Sequence, residues 1–262
     1  MSRCCSSLLP GIACVCLVAG NAPAQTIIDF EGFTNGHEVG SGDHGIGVEP
    51  GSVFFLLTGN SAGAPVQGAA IFDSDPFGPN AGGGDRDLLV DLGNILILQN
   101  DAFATQTLPG FYDIANDEER GGTLIFDFLA PVELLSIDLI DVDDNGAITL
   151  TLADSGGLTR TYAVPRFWTF DVFADGMGGF DTLDLTILAD QVGEAGGIAT
   201  AIQDPFFDPL NVVRFSIVLK GSGGVDNLAF VPAPSALLVV LAGLVGIRRC
   251  KGVRGSGRSA EP

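Results

Sequence analysis

The fold class is decided by the stretch Thr123-Leu-Ile-Phe-Asp-Phe128, in which Leu124, Phe126 and Phe128 recur at every second position. The same period is found in Ala147-Ile-Thr-Leu-Thr-Leu152. A period of two is typical of half-buried β-strands, whose successive side chains point to opposite faces. These two segments therefore predict strands near the middle of the chain.

Similar short apolar segments, separated by Gly, Asp, Asn and Pro, recur on both sides of this region. No segment has helical periodicity over three turns, although Gln191–Ile202 has room for a single helical turn. Many short strands with turn residues between them are typical of sandwiches and barrels. We predict an all-β fold, a β-sandwich of jelly-roll type. Its expected strands are 26–30, 52–57, 68–72, 94–98, 123–128, 134–142, 147–152, 158–164, 183–188, 212–219 and 225–231.

The N-terminus has the three parts of a secretory signal peptide. Arg3 precedes an apolar stretch from Leu8 to Ala19, and Ala22-Pro-Ala24 supplies small residues for cleavage. A first transmembrane helix is disfavoured, because the apolar run is short for a membrane span, which needs about 20 residues. We expect export, with cleavage after Ala24.

The C-terminus has the features of a second targeting signal. The residues Val231-Pro-Ala-Pro234 lead into an uncharged apolar run, 236–247, which Arg248 and Arg249 follow directly. As a helix the run would be about 18 Å long, which is marginal against a hydrocarbon core of about 30 Å. Positive charge after the run predicts a cytoplasmic tail and an exported body.

These residues resemble the sorting tail of bacterial PEP-CTERM proteins, which joins a V-P-E-P-like motif, a hydrophobic helix and an arginine cluster. The motif residues are Val231, Pro232, Ala233, Pro234, Arg248 and Arg249. Ala233 stands where the family has glutamate, so cleavage of the tail is less firmly implied than delivery to the membrane. The resemblance implies an exosortase-type processing enzyme, a location in the cell envelope and an association with exopolysaccharide. The alternative is an ordinary C-terminal membrane anchor.

Four parts of the chain follow: a signal peptide (1–24), a β-sandwich domain (25–230), a sorting or membrane segment (231–251) and a basic cytoplasmic tail (252–262). The domain holds 31 of the 32 acidic residues but only six of the 12 basic ones, a formal charge of −25. Such a charge makes nucleic acid and anionic membrane surfaces poor partners and divalent cations good ones. All five cysteines lie outside the domain, which excludes disulfides and thiol chemistry within it.

The first candidate metal motif is Asp141-Val-Asp143-Asp-Asn145-Gly146. Its spacing matches the first half of a calcium loop, in which alternate oxygens converge on the ion and glycine permits the bend. Leu152 occupies the twelfth position, where an EF-hand needs glutamate. The alternative is a hairpin with a type I′ turn at Asn145-Gly146.

A second candidate comprises two Asp-x-Asp pairs that bracket a loop rich in Gly and Pro. The pairs are Asp73 with Asp75 and Asp85 with Asp87. Four carboxylates so close would repel one another unless a cation or backbone amides lay among them. The alternative is that each Asp caps a solvated turn.

The region from Gly68 to Leu152 also resembles a sandwich module of exported bacterial surface proteins, with elements like F-D-x-D, G-D-x-D-L and G-G-T-I-x-F-x-F. The last strand, with Gly224-Val-Asp226-Asn-Leu-Ala-Phe230, is similar to the closing strand of jelly-roll carbohydrate-binding modules. That similarity implies a structural calcium ligand at Asp226, for which a turn residue is the alternative.

Catalytic motifs are not apparent. His37 and His44 lack the spacing of a zinc protease, and no nucleophile elbow, Walker loop or dinucleotide fingerprint occurs. Trp168 is either a core residue or a platform on which a glycan stacks. We expect a non-catalytic envelope or matrix protein with a structural or adhesive role, stabilised by calcium. A carbohydrate-binding module is the alternative, and a secreted hydrolase with paired carboxylates ranks third.

Overall fold

The computed structural model describes residues 24–39, 55–63, 67–83, 85–142, 148–169 and 179–233, with only the backbone described for 55–58. Within these residues there are 13 β-strands, three short 3-10 helices and no α-helix. The prediction of an all-β fold is confirmed. The signal peptide before Ala24 and the apolar run 236–247 lie outside the described residues.

The strands form one large antiparallel sheet. They are β1 (Thr26–Ile28), β2 (Glu38–Val39), β3 (Phe55–Ser61), β4 (Ala69–Asp73), β5 (Asn94–Leu98), β6 (Gly122–Ile140), β7 (Ile148–Asp154), β8 (Thr159–Val164), β9 (Phe180–Asp184), β10 (Gln191–Val192), β11 (Ile198–Gln203), β12 (Val212–Leu219) and β13 (Gly224–Pro232). The 3-10 helices are Arg86–Leu88, Asp101–Phe103 and Pro209–Asn211.

The central strand β6 has different neighbours along its two halves. Its first half, Gly122–Phe128, pairs with β3 and β12. Its second half pairs with β13 from Val132 onward and with β9 from Ser136 onward. The separate strands expected at 123–128 and 134–142 are therefore one strand. Pro131 lies between the two halves, where its missing N–H removes no ladder bond from either set of neighbours.

The main hydrophobic core is built by the alternation seen in the sequence. In β7 every second residue from Ile148 to Leu152 is buried, and the residues between them are half exposed. The rings of Phe126 and Phe215 lie on adjacent strands with centroids 6.0 Å apart. A smaller cluster forms around Phe72 and Ile140 and includes the apolar side chains that follow the first 3-10 helix.

The expectation of a helical turn within Gln191–Ile202 was wrong. The segment forms strands β10 and β11, joined by a turn in which Gly193 N–H donates to the Gly197 carbonyl oxygen at 2.8 Å. β11 also pairs with β8 over Thr200–Gln203. Pairing with a distant strand supplies the backbone hydrogen bonds that a helix would otherwise have made.

Candidate metal centre

Two of the candidate motifs meet at one buried residue, Asp117. Asp85 lies just before the first 3-10 helix and accepts the Asp117 N–H through Oδ2 at 3.2 Å. Asp141 directly follows β6, and its Oδ2 is 2.8 Å from the hydroxyl of Ser222. That hydroxyl also lies within hydrogen-bond distance of Asp117 Oδ2. Asp85 and Asp141, 56 residues apart, are thus linked through Asp117 and Ser222.

Ser222 has one hydroxyl proton but contacts two carboxyl groups. It can donate to only one of them. The other carboxyl must itself be protonated and donate to the Ser222 oxygen, or else the two oxygens face each other without a proton between them. At Ser222 there is therefore a deficit of one hydrogen-bonding proton, which a protonated carboxyl or a cation between the two carboxyls would remove.

Burial makes this deficit costly. Asp117 is 3% exposed. Burial raises its pKa to about 6, although hydrogen bonds from Ser222 and Gly223 lower it. Burial raises the pKa of Asp85 to about 7, and the charge on Asp117 adds to the effect. Asp87 is exposed, yet it lies close enough for its charge to raise the pKa of both carboxyls.

The backbone around the centre explains how these groups are brought together. Gly223 has a φ of 138°, and a Cβ there would lie 2.9 Å from the Ile140 carbonyl oxygen. Glycine at this position allows the Gly223 N–H to donate to Asp117 Oδ2 at 2.7 Å. Asp141 has a φ of 55°, a left-handed conformation that Asp tolerates better than most residues.

Asp73 and Asp75 take part in a different set of contacts. Asp73 Oδ1 accepts the Asp75 N–H at 3.0 Å, and Asp75 Oδ1 accepts the Phe77 N–H at 2.8 Å. These are the bonds expected of turn caps, the alternative interpretation of this pair. A metal site that joins them to Asp85 and Asp87 remains a prediction from the sequence.

Asp226 lies elsewhere, within β13, and is 1% exposed. In the described part of the chain its Oδ1 has no hydrogen-bond partner. Asp138 on β6 is its direct neighbour across the sheet. Burial, with smaller contributions from the charges of Asp138, Glu31 and Asp29, raises the pKa of Asp226 to about 8.

The other motif residues are only partly described. Asp143 and Asn145 of the calcium-like loop, and Pro234, Arg248 and Arg249 of the sorting motif, lie outside the described residues. Val231 and Pro232 are the last residues of β13. The Ala233 N–H donates to the Pro131 carbonyl oxygen at 2.9 Å.

The glycan-platform interpretation of Trp168 is wrong, because the side chain is only 1% exposed. Its indole lies against Gly193, where an added Cβ would be 2.5 Å from the ring. Tyr162 is also 1% exposed, and its hydroxyl donates to the Leu185 carbonyl oxygen at 2.6 Å. Both rings belong to the core, where no sugar can reach their faces.

Sequence reasoning missed Asp117 and Ser222. Asp117 begins the acidic run Asp117-Glu-Glu119, just before the glycines that precede β6, and Ser222 stands just before β13. An acidic residue just before a central strand is by itself a weak signal of a functional site. Only the hydrogen bond to Asp85, which the structure shows, marks Asp117 as part of a cluster.

As the side chains stand, the described residues contain no group of three or more His, Cys, Asp or Glu that could together hold a metal ion. The carboxylates of the Asp117 centre are linked by hydrogen bonds rather than directed at one point. Nor does any described helix have the length and apolar character needed to cross a membrane. Comparison with protein-family models gave no match, and comparisons with curated proteins and with solved structures gave none either.

Proposed function

We propose that this chain is an exported, non-catalytic structural or adhesive protein of the cell envelope or extracellular matrix, stabilised by calcium. The calcium part rests on one observation: Asp85 and Asp141, which the sequence assigned to two separate motifs, both lie beside the buried Asp117. Asp85 accepts the Asp117 backbone N–H, and Asp141 shares the Ser222 hydroxyl with the Asp117 carboxylate. The export part rests on the two terminal segments of the sequence.

The oxygen atoms at the Asp117 centre fit calcium in kind. Calcium takes six to eight oxygen ligands from carboxylates, carbonyl groups and water. Asp85, Asp117 and Asp141 would supply carboxylate oxygens. A bound divalent ion would neutralise two carboxyls that the single Ser222 hydroxyl proton cannot satisfy together.

We also propose that the sheet folds over on itself as a jelly-roll-like sandwich. Support comes from the main core, which combines residues of the first half of β6, such as Phe126, with residues of its second half, such as Ile137 and Leu139. Phe128 on β6 and Phe230 on β13 have ring centroids 5.7 Å apart. Such a core is expected where two layers face each other.

Delivery to the envelope would use the tail. Val231 and Pro232 end the closing strand, so the sorting motif would lead directly from the folded domain into the apolar run. We propose an exosortase-type enzyme as processing partner, the membrane as the site of the C-terminal helix and exopolysaccharide as the surrounding matrix. Intact mass of the protein from its native envelope tests this: loss of the residues after about Pro234 supports processing, and a retained signal peptide contradicts export.

The calcium proposal is tested by thermal unfolding of the full-length protein in detergent, in millimolar calcium and in chelator. We expect the wild type to unfold at a higher temperature with calcium, and Asp85→Asn and Asp141→Asn to lose most of that difference. Asp190→Asn is a matched control, because it removes one acidic charge at an exposed position away from the centre. An equal calcium effect in all four proteins would contradict the proposal.

Neither alternative function is favoured by an observation. A carbohydrate-binding module needs an exposed aromatic platform, and Trp168 and Tyr162 are both buried. A hydrolase with paired carboxylates needs both groups to reach a substrate. Asp117 is buried and already accepts the Gly223 N–H, so it does not suit that role.

A further inference from the structure

One large face of the sheet has no described strand packed over it. Strand β3, the first half of β6, and β12, β7, β8 and β11 lie side by side in that order. Their inward side chains, such as Phe126, Phe215 and Leu150, belong to the main core. The described side chains on the opposite side of these strands are half-buried or exposed. We call this second surface the outer face.

The strand register aligns the side chains of the outer face in rows that run across the strands. One row consists of Asn60, Thr123, Val218, Thr149, Ala163 and Thr200. The next row, two residues further along each strand, consists of Ile125, Ser216, Thr151, Thr161 and Ile202. No side chain in these two rows is charged, and all are short or β-branched. The two rows therefore form an even, uncharged surface.

The absence of charge from these rows contrasts with the formal charge of −25 on the domain. A third row contains one acid and one base, Asp127 and Arg214, which form an ion pair at 2.6 Å. Beyond the rows, Lys220 follows the end of β12, and at the other end Asp204 accepts the Thr159 hydroxyl at 2.9 Å. The charges at the margins thus largely cancel, and the outer face is close to neutral.

Neutrality decides which surface of this domain can meet another copy. Two domains of the same large negative charge repel each other, and a contact through acidic side chains would bury charges without partners. The outer face avoids both costs. Its polar groups are hydroxyls and one amide, each of which can donate and accept a hydrogen bond, so the face is complementary to a second copy of itself. The hydroxyls of Thr151 and Thr161, 3.3 Å apart, already satisfy each other within one copy.

The outer face is also large enough, and apolar enough at one margin, for a stable contact. With strands about 4.8 Å apart and rows about 6.6 Å apart, its footprint is about 600 Å² per copy. Two footprints give about 1,200 Å², the lower limit for specific interfaces. At the β11 margin Ile198 is 53% exposed and Ile202 73% exposed, and Val192, which pairs with Ile198, is 69% exposed. Burial of these three side chains would favour association.

We infer that the outer face is a self-association surface, on which a second copy of this chain packs face to face in a two-fold symmetric dimer. Two twisted sheets of the same hand pack well in this way, and the same patch then serves both copies. The acidic surfaces of the two domains would point away from the contact. The inference depends neither on calcium at the Asp117 centre nor on export of the chain.

Sedimentation of the full-length protein in density-matched detergent tests the inference. Chelator is present throughout, so that calcium cannot bridge two acidic copies. We expect the wild type to reach twice the monomer mass as its concentration rises, and to do so at lower concentration in high salt, because salt screens the repulsion between the copies. A wild type that stays monomeric at its highest soluble concentration, even in high salt, would overturn the inference and leave the face to another kind of partner.

Two matched variants locate the contact. Ile202→Glu should weaken dimerisation by more than about tenfold, because each dimer would bury two carboxylates without partners. Phe77→Glu is the control, because Phe77 is 94% exposed and follows β4, which pairs with β2 and β5 rather than with the strands of the outer face. It adds the same charge and should dimerise like the wild type.

The remaining outcomes separate this face from other routes to a dimer. If Ile202→Glu dimerises as tightly as the wild type, the copies meet elsewhere, for example through the apolar run 236–247, and the inference is wrong. Equal weakening by Phe77→Glu would also contradict it, because net charge alone would then govern association. Ala163→Glu, at an exposed position in the first row, should repeat the effect of Ile202→Glu, and it decides the matter if Ile202→Glu does not fold.

Discussion

Replacing Asp117 by asparagine is the sharpest test of the proposed metal centre, because the amide keeps the shape of the carboxylate and removes its charge. Burial raises the pKa of Asp117 from 3.8 to about 6. A shift of about 2 units corresponds to about 3 kcal/mol between the protonated and ionised states at about 1.4 kcal/mol per unit. That is the order of the cost of ionising this group in the folded, calcium-free protein.

The direction in which pH changes the stability follows from proton linkage. Because the folded pKa lies above the unfolded one, the folded state binds the proton more tightly than the unfolded state does. The resulting stability is fully present below about pH 4 and is lost as the pH rises through about 6. At pH 8 without calcium the wild type has lost it, whereas Asp117→Asn has no charge to bury.

The assay is urea denaturation of the full-length protein at pH 5 and pH 8, in chelator and in millimolar calcium. In chelator at pH 8 we expect Asp117→Asn to be more stable than the wild type by up to about 3 kcal/mol. At pH 5 the difference should shrink, because Asp117 is then mostly protonated. In calcium at pH 8 the order should reverse, because only the wild type can coordinate the ion fully.

Two results would refute this reasoning. If Asp117→Asn is clearly less stable than the wild type in chelator at pH 8, the buried charge is not the dominant cost at this position. If calcium stabilises both proteins equally, Asp117 is not a ligand. The Asp190→Asn variant controls for the general loss of one negative charge from an acidic chain.

Three further predictions concern stability alone, measured by urea denaturation. Phe215→Ala should lower the free energy of unfolding by about 3–5 kcal/mol, because the ring is fully buried. Phe206→Ala, at a ring 93% exposed, should change it by less than about 0.5 kcal/mol. Equal effects would contradict the assigned core. Arg214→Ala should cost at most about 1 kcal/mol, since its ion pair is exposed, and high salt should remove the difference. Gly121→Ala should cost more than about 1 kcal/mol, because φ is 70° and the new Cβ would lie 2.3 Å from a carbonyl oxygen; a neutral substitution would refute that strain.

The sequence alone determined the fold class, because strand formation here depends on local alternation. Asn94–Leu98 and Val212–Leu219 were predicted with the bounds that the structure gives them. Apolar side chains at every second position must face a core, whatever lies across from them, so the pattern could be read without knowing the strand partners. The acidic charge of the domain and its lack of cysteine also follow from the sequence alone, because both are counts of residues.

Only the tertiary structure decided the order of strands, the continuity of β6 and which residues surround Asp117. Whether Pro131 interrupts β6 depends on which strands pair with the two halves of β6. No short stretch of sequence specifies those partner strands. Asp117 and Ser222 lie beside Asp85 and Asp141 because loops far apart in sequence meet at the same end of β5, β6 and β13. Which loops meet depends on how the chain packs. Carboxylates that look like separate turn residues in the sequence are therefore neighbours in the fold.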